Sequence, residues 1–269
     1  MRVVVLVKQV PDISSDRSLQ ADGRLERLPA TAVLNELDEG GLETALRSAD
    51  ALGASLVAIT MGPAQASAAA RKALQVGAAI GIHVCDDALA GSDAVVTARV
   101  LAATIRLLER EDPEDPVALV IAGMSALDGL GSVVPALVAA ELGWPVASAA
   151  FIVAVERDHV TVTRGTEHGR EELRTSLPAV VSVTDTIATL RVPSFATMLA
   201  ARKATLRTLG ITDLGLTSDA VGTAGARATI ASAQPRPARP PARIVRDAGK
   251  AGAELVDFVL ERGLVEVSS

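Results

Sequence analysis

The chain has 269 residues, of which 49% are apolar and 22% charged, enough to bury one large core with a smaller appendage. A net charge of −6, with three Phe, one Trp and no Tyr, supplies neither the basic surface nor the stacking platforms that nucleic acid requires. The single cysteine, Cys85, excludes an internal disulfide and a cysteine-based metal cage, and three scattered histidines offer no metal-ligand spacing.

Only Met1 and Arg2 precede the first strand, so no targeting peptide is expected, and no uncharged run of about 18 residues is available to span a bilayer. The expectation is a cytoplasmic protein that is not membrane-embedded. Val3-Val4-Val5-Leu6-Val7 is apolar and mostly β-branched, as in a strand buried on both faces, and it runs into the turn Lys8-Gln9-Val10-Pro11-Asp12. Ser14 to Arg27 is polar and reads as a loop or short hairpin. Leu37, Gly41, Leu42, Ala45, Leu46, Ala49 and Leu52 then recur at three-four spacing, which predicts a helix starting near Asp38, with Glu36, Asp38 and Glu39 favoured by its dipole.

Ser55 to Met61 is a second buried-strand run that stops at Gly62-Pro63, followed by a helix over 64–76, a strand over 80–84 and a helix over 93–110. Val117 to Gly123 is a fourth strand, and the loop from Met124 to Ser132 feeds an apolar helix that ends at Leu142. Strands alternating with helices indicate an α/β fold with a doubly wound, mostly parallel sheet, whose strand-to-helix loops all open on one edge. Beyond Pro145 an antiparallel excursion (151–155, 160–163, 172–177) rejoins the sheet through the strand 179–183. Residues 190–209 read as a loop and a basic segment. The domain expected over 1–216 gives way at 217 to an arm rich in Ala, Pro and Arg, including Pro235 and the arginines at 236, 239, 243 and 246, and the arm leads to an amphipathic helix over 251–262.

Several residues bear chemistry at the carboxyl edge of the strands, where ligands of such sheets gather. The glycines of Gly123 to Ser132 allow a tight approach to a ligand, and N–H groups at the next helix start can hold a phosphate. The alternative is an ordinary glycine turn capped by Ser132, since the spacing fits neither the dinucleotide nor the P-loop pattern. Lys8 and Asp12 read as a surface ion pair or an acid/base pair, with the ion pair preferred. Asn35 reads as a helix cap before it reads as a ligand. Met61, His83 and Cys85 read as packing residues.

Together these motifs resemble the β subunit of electron transfer flavoproteins. The resemblance runs through Val7 to Asp12, Leu34-Asn35-Glu36-Leu37-Asp38, Met61-Gly62-Pro63-Ala64, Ala122-Gly123 through Asp128-Gly129 to Gly143-Trp144-Pro145, Leu177 to Val183, and Arg191-Val192-Pro193-Ser194-Phe195. It implies a Rossmann-like fold of the adenine nucleotide alpha hydrolase type. It also implies a structural AMP near Leu6, Lys8, Asn35, Glu36, Leu37, Asp38, Met61, Gly123, Ala126, Asp128, Gly129, Leu130, Gly131, Ser132, Val133 and Val134. The same resemblance implies an FAD held mainly by an α subunit, approached here by Ile13, and an apolar docking segment for dehydrogenases such as acyl-CoA dehydrogenases at Arg191, Phe195 and Met198. A membrane quinone oxidoreductase is the implied acceptor, and residues 217–269 are the implied contact with the α subunit. Such a subunit is an electron carrier, not an enzyme with catalytic residues of its own. Many members of the family carry Asp-Gly-Asp-Thr-Gly-Gln where this chain has Asp128-Gly129-Leu130-Gly131-Ser132-Val133, which removes side-chain donors and leaves backbone N–H groups and Ser132. A regulator of universal-stress type would share the sheet but not need the arm. An amidating enzyme would need a Ser-Gly-Gly phosphate loop after the first strand.

Overall fold

Buried β-branched runs that cannot satisfy their backbone alone must pair, and here they form a nine-stranded sheet. The computed structural model describes residues 1–234, 236–242 and 244–265. Pro235 and Arg243, expected in the arm, lie outside the described residues. In chain order the elements begin with β1 (Arg2–Leu6), β2 (Gln9–Pro11), β3 (Ala32–Leu34), α1 (Glu36–Leu52), β4 (Ser55–Met61), α2 (Ser67–Val76) and β5 (Ile80–Val84). There follow α3 (Ala94–Glu111), β6 (Val117–Gly123), α4 (Val134–Leu142), β7 (Val146–Val155), β8 (His159–Thr166), β9 (Gly169–Ser176) and β10 (Ala179–Val183). The chain closes with α5 (Phe195–Ala201), β11 (Thr205–Leu209), α6 (Gly222–Gly225) and α7 (Ala251–Glu261).

The sheet order is β11-β5-β4-β1-β6-β10-β7-β8-β9. All pairings from β11 to β7 are parallel, and β8 and β9 add antiparallel. The excursion after Pro145 therefore extends the same sheet: β7 starts it, β8 and β9 fold back antiparallel to form its edge, and β10 returns to pair between β6 and β7. Alternation along β1 divides the core. Val3 and Val5 pack with Leu42, Ala45 and Leu46 of α1 on one face, while Val4 and Leu6 pack with Val100, Ile105 and Val138 of α3 and α4 on the other. Burying such a side chain stabilises the fold by about 1.5–3 kcal/mol.

The structure differs from the sequence reading in three places. Residues 190–209 hold a helix, α5, and an edge strand, β11, in place of a loop. Ser194 starts that helix, its Oγ accepting from Thr197 N at 3.1 Å, but α5 has no buried residue and so gave no apolar period to read. Gln9–Pro11 pairs with Ala32–Leu34 as a small separate sheet. Lastly, the compact unit runs from Met1 to Ala233, and Gln234–Ser269 forms a second. The segment after Thr217, expected to leave as an arm, first packs back: Val221 is fully buried and the backbone N–H groups of Arg227 and Ala228 donate to Asp93. In the second unit, α7 has no buried residue, and its Phe258 lies under Arg262 at 5.2 Å.

Candidate functional site

β4, β1 and β6 are neighbours in the sheet, so their carboxyl ends, Met61, Leu6 and Gly123, share one edge, with Lys8 just beyond Leu6. The first turn of α1 seats itself there. Its close approach depends on Gly123, where a Cβ would fall 2.3 Å from the carbonyl oxygen of Leu37 and 2.5 Å from Oδ1 of Asp38. Gly41 serves the same contact from the helix side, facing the Gly123 nitrogen.

Asn35 stands at the N-cap position but its side chain makes no cap bond. It is fully buried and reaches across to the glycine loop instead, with Nδ2 donating to Ser125 O at 2.8 Å and Oδ1 accepting from Leu127 N at 3.1 Å. The cap reading is thereby corrected: α1 has acidic Glu36, Asp38 and Glu39 in its first turn, and the amide is spent on holding the loop. The backbone of Lys8 is bound on both sides, its oxygen accepting from Asn35 N at 2.9 Å and its N–H donating to Asp38 Oδ2 at 2.8 Å.

The expected Lys8–Asp12 pair does not form. Lys8 Nζ instead meets Asp128 Oδ1 at 2.7 Å, and Asp12 accepts from Ser14 in a local turn. The other Asp128 oxygen takes Arg27 at 2.5 Å, while Arg17 donates to Leu127 O at 2.9 Å. The Asp128 side chain has no exposed surface. Burial works to raise its pKa, but Lys8 and then Arg27 outweigh that and hold it below the ordinary carboxylate value. Asp38 behaves oppositely: burial pushes it up to about 7, against the hydrogen bonds from Asn35 and Lys8.

The loop itself is open. Gly129, Leu130, Gly131, Ser132 and Val133 are exposed, and Leu130 and Ser132 hold φ of 48° and 54°, a left-handed conformation that costs a non-glycine residue about 1 kcal/mol or more. Ser132 does not cap α4: Val133 occupies the N-cap position, with no side-chain cap bond, and Pro135 enters the first turn. The N–H groups of Gly131, Ser132 and Val133 have no acceptor among the described residues. Ser125 Oγ, next to this loop, is buried without a partner. One loop thus carries free N–H donors at 131–133 and, on Asp128, two half-exposed cations, a set of groups that suits an anion.

The remaining expected residues fall around this edge. Leu6 is buried, Met61 half-buried against the α3 side of the core, and Ala126 and Val134 half-buried at the two ends of the loop. Leu37 contributes its carbonyl to the Gly123 contact, and Glu36 lines a cleft of 360 Å³ with Gln9, Asp12 and Lys72. Ile13 is exposed just past β2. Among the described residues no group of His, Cys, Asp and Glu could hold a metal ion.

Away from this edge, Arg191, Phe195 and Met198 stand together around the start of α5. Arg191 is engaged within the chain, donating to the buried Glu43 from its backbone N and, at 2.8 and 3.0 Å, from Nε and Nη2. Burial works to raise Glu43, and Arg191 with Arg47 brings it below its ordinary value. Past this fastening the segment is apolar and uncovered: Val192 is 88% and Phe195 79% exposed, with Met198 and Leu199 beside them. Arg17 and Arg27 carry no signal in the sequence, since nothing in a polar loop points to partners 110 and 101 residues away.

Comparison with known proteins gives concordant matches. The family profile described as electron transfer flavoprotein domain matches residues 25–214. The electron transfer flavoprotein subunit beta of Mycobacterium tuberculosis is 37% identical over 269 residues, covering 98% of this chain and 99% of that protein. Protein FixA of Azotobacter vinelandii is 35% identical over 186 residues, 68% of this chain and 65% of that one. The caffeyl-CoA reductase-Etf complex subunit CarD of Acetobacterium woodii is 30% identical over 223 residues, 82% of this chain and 83% of that one.

Proposed function

The chain belongs to the electron transfer flavoprotein family, as a β subunit, and from that premise we propose that it binds AMP at the 123–134 loop and completes the FAD site of an α subunit in a heterodimer. The observation that carries the nucleotide reading is the loop: free N–H groups at Gly131, Ser132 and Val133, strained φ at Leu130 and Ser132, and the Asn35 tether that fixes their position. A phosphate placed there accepts the free N–H groups and offsets the strain. Side chains lost with Thr and Gln are not required for that role, because the donors are backbone groups.

FAD, when bound by the pair, supplies the redox chemistry, and the chain's own residues orient it and exclude water. Ile13, exposed beyond the small β2–β3 sheet, is the residue proposed to face the flavin ring. Apolar Val192, Phe195, Met198 and Leu199 form the proposed docking surface for a dehydrogenase, and a membrane quinone oxidoreductase is the proposed acceptor. Exposed aromatic and aliphatic side chains of this kind are disfavoured unless a partner covers them. No helix among the described residues is long and apolar enough to cross a membrane, so delivery to a membrane acceptor requires encounter with it.

The nucleotide reading is tested by denaturing the purified chain and chromatographing the supernatant. Recovery of about one AMP per chain is expected. Recovery of FAD in its place assigns the loop to a second flavin and removes the AMP reading.

A further inference from the structure

We infer that Arg27, with Lys8 beside it, is a phosphate-binding residue of the nucleotide site, so that the site selects a nucleoside monophosphate over the free nucleoside. The inference rests on the nucleotide reading above and deepens it. One buried carboxylate, Asp128, holds two cations, Lys8 on one oxygen and Arg27 on the other. A single cation would suffice to neutralise it, and the second leaves a surplus positive charge. Lys8 keeps 41% and Arg27 40% of the side chain exposed, so this charge is presented to solvent. Arg27 spends only Nε and one N–H of Nη2 on Asp128, and Lys8 only one of its three donors. Asp38, the other carboxyl at this edge, does not cancel the surplus, because burial favours its neutral form.

The cations are held in place independently of any ligand. Arg17 and Arg27 flank a hairpin closed by the Leu19–Leu25 bridge and by Glu26 N donating to Ser18 O at 2.9 Å. Its tip is braced, since a Cβ on Gly23 would meet Ile230 at 2.9 Å. Arg17 reaches the same loop, donating to Leu127 O at 2.9 Å. Guanidinium groups prepositioned in this way match a phosphate dianion with little further loss of side-chain freedom.

The test is titration calorimetry of the full chain, first freed of bound nucleotide and checked for its fold, with AMP and with adenosine, comparing the wild type, Arg27→Gln and the double variant Arg27→Gln/Asp128→Asn. The wild type is expected to prefer AMP over adenosine, and Arg27→Gln to shrink that preference about tenfold or more by weakening AMP alone. The double variant, which restores charge balance at Asp128, is expected to stay weak for AMP. Recovery of AMP binding in the double variant, or equal weakening of both ligands, makes Arg27 a neutraliser of Asp128 and overturns the inference. Should Arg27→Gln not fold, Lys8→Gln, which leaves Arg27 on Asp128, is scored by the same criteria. A wild-type chain that binds neither ligand removes the nucleotide reading itself, whereas one that binds AMP with an indifferent Arg27 removes this inference alone.

Discussion

Asn35 joins the start of α1 to the glycine loop, because its amide is fully buried and pairs with two backbone groups of that loop. Asn35→Ala leaves those groups without partners and is expected to cost about 2–4 kcal/mol in denaturant unfolding, with release of bound nucleotide. A loss below about 0.5 kcal/mol would mean that the loop is held by other means. Asp38 supplies a pH dependence. Its folded pKa lies near 7, above the unfolded value of 3.8, so the native state binds the extra proton between these values. Its contribution is therefore fully present below about 4 and declines as pH rises to 7. Asp38→Asn should remove this slope and be more stable than the wild type at pH 8, by on the order of 1–4 kcal/mol. Parallel stability curves for the two proteins from pH 4 to 8 would show that Asp38 does not titrate there. None of these contacts was legible in the chain. Residues 35 and 38 stood out as a helix start, but the amide's targets lie 90 and 92 residues away, and local spacing carries no information about them.

At the scale of elements, the parallel strands and the helices between them were readable because each bears a continuous apolar run or a three-four face. Val3 to Val7 is buried throughout, and α3 matches its predicted span within a residue. Elements without a buried face were not readable. α5 buries no residue, β11 buries only Leu209 fully, and one buried valine at 221 among small and polar residues sets no period. The helix α5 nevertheless carries the proposed docking surface. Its cap by Ser194 and the fastening of Arg191 to Glu43 fix the direction in which Val192 and Phe195 project. Phe195→Ala should slow electron transfer from a cognate dehydrogenase severalfold while shifting stability by no more than about 0.5 kcal/mol, since the ring is 79% exposed. Stopped-flow reduction with the dehydrogenase in excess measures the first quantity and thermal unfolding the second. Unchanged transfer would remove α5 from the docking surface.

At the scale of the whole molecule, the carboxyl edge of the α/β unit is the proposed nucleotide site, and α7 exposes Leu255, Val256, Phe258 and Leu260. Flavin retention is proposed to need contacts from two subunits, with Ile13 contributing from this side. The most direct test is the flavin and nucleotide content of the chain purified alone and together with an electron transfer flavoprotein α subunit. The account predicts a colourless isolated chain that carries AMP, and a yellow heterodimer containing one FAD and one AMP. An isolated chain that retains FAD stoichiometrically, or a heterodimer with two FAD and no AMP, would contradict it.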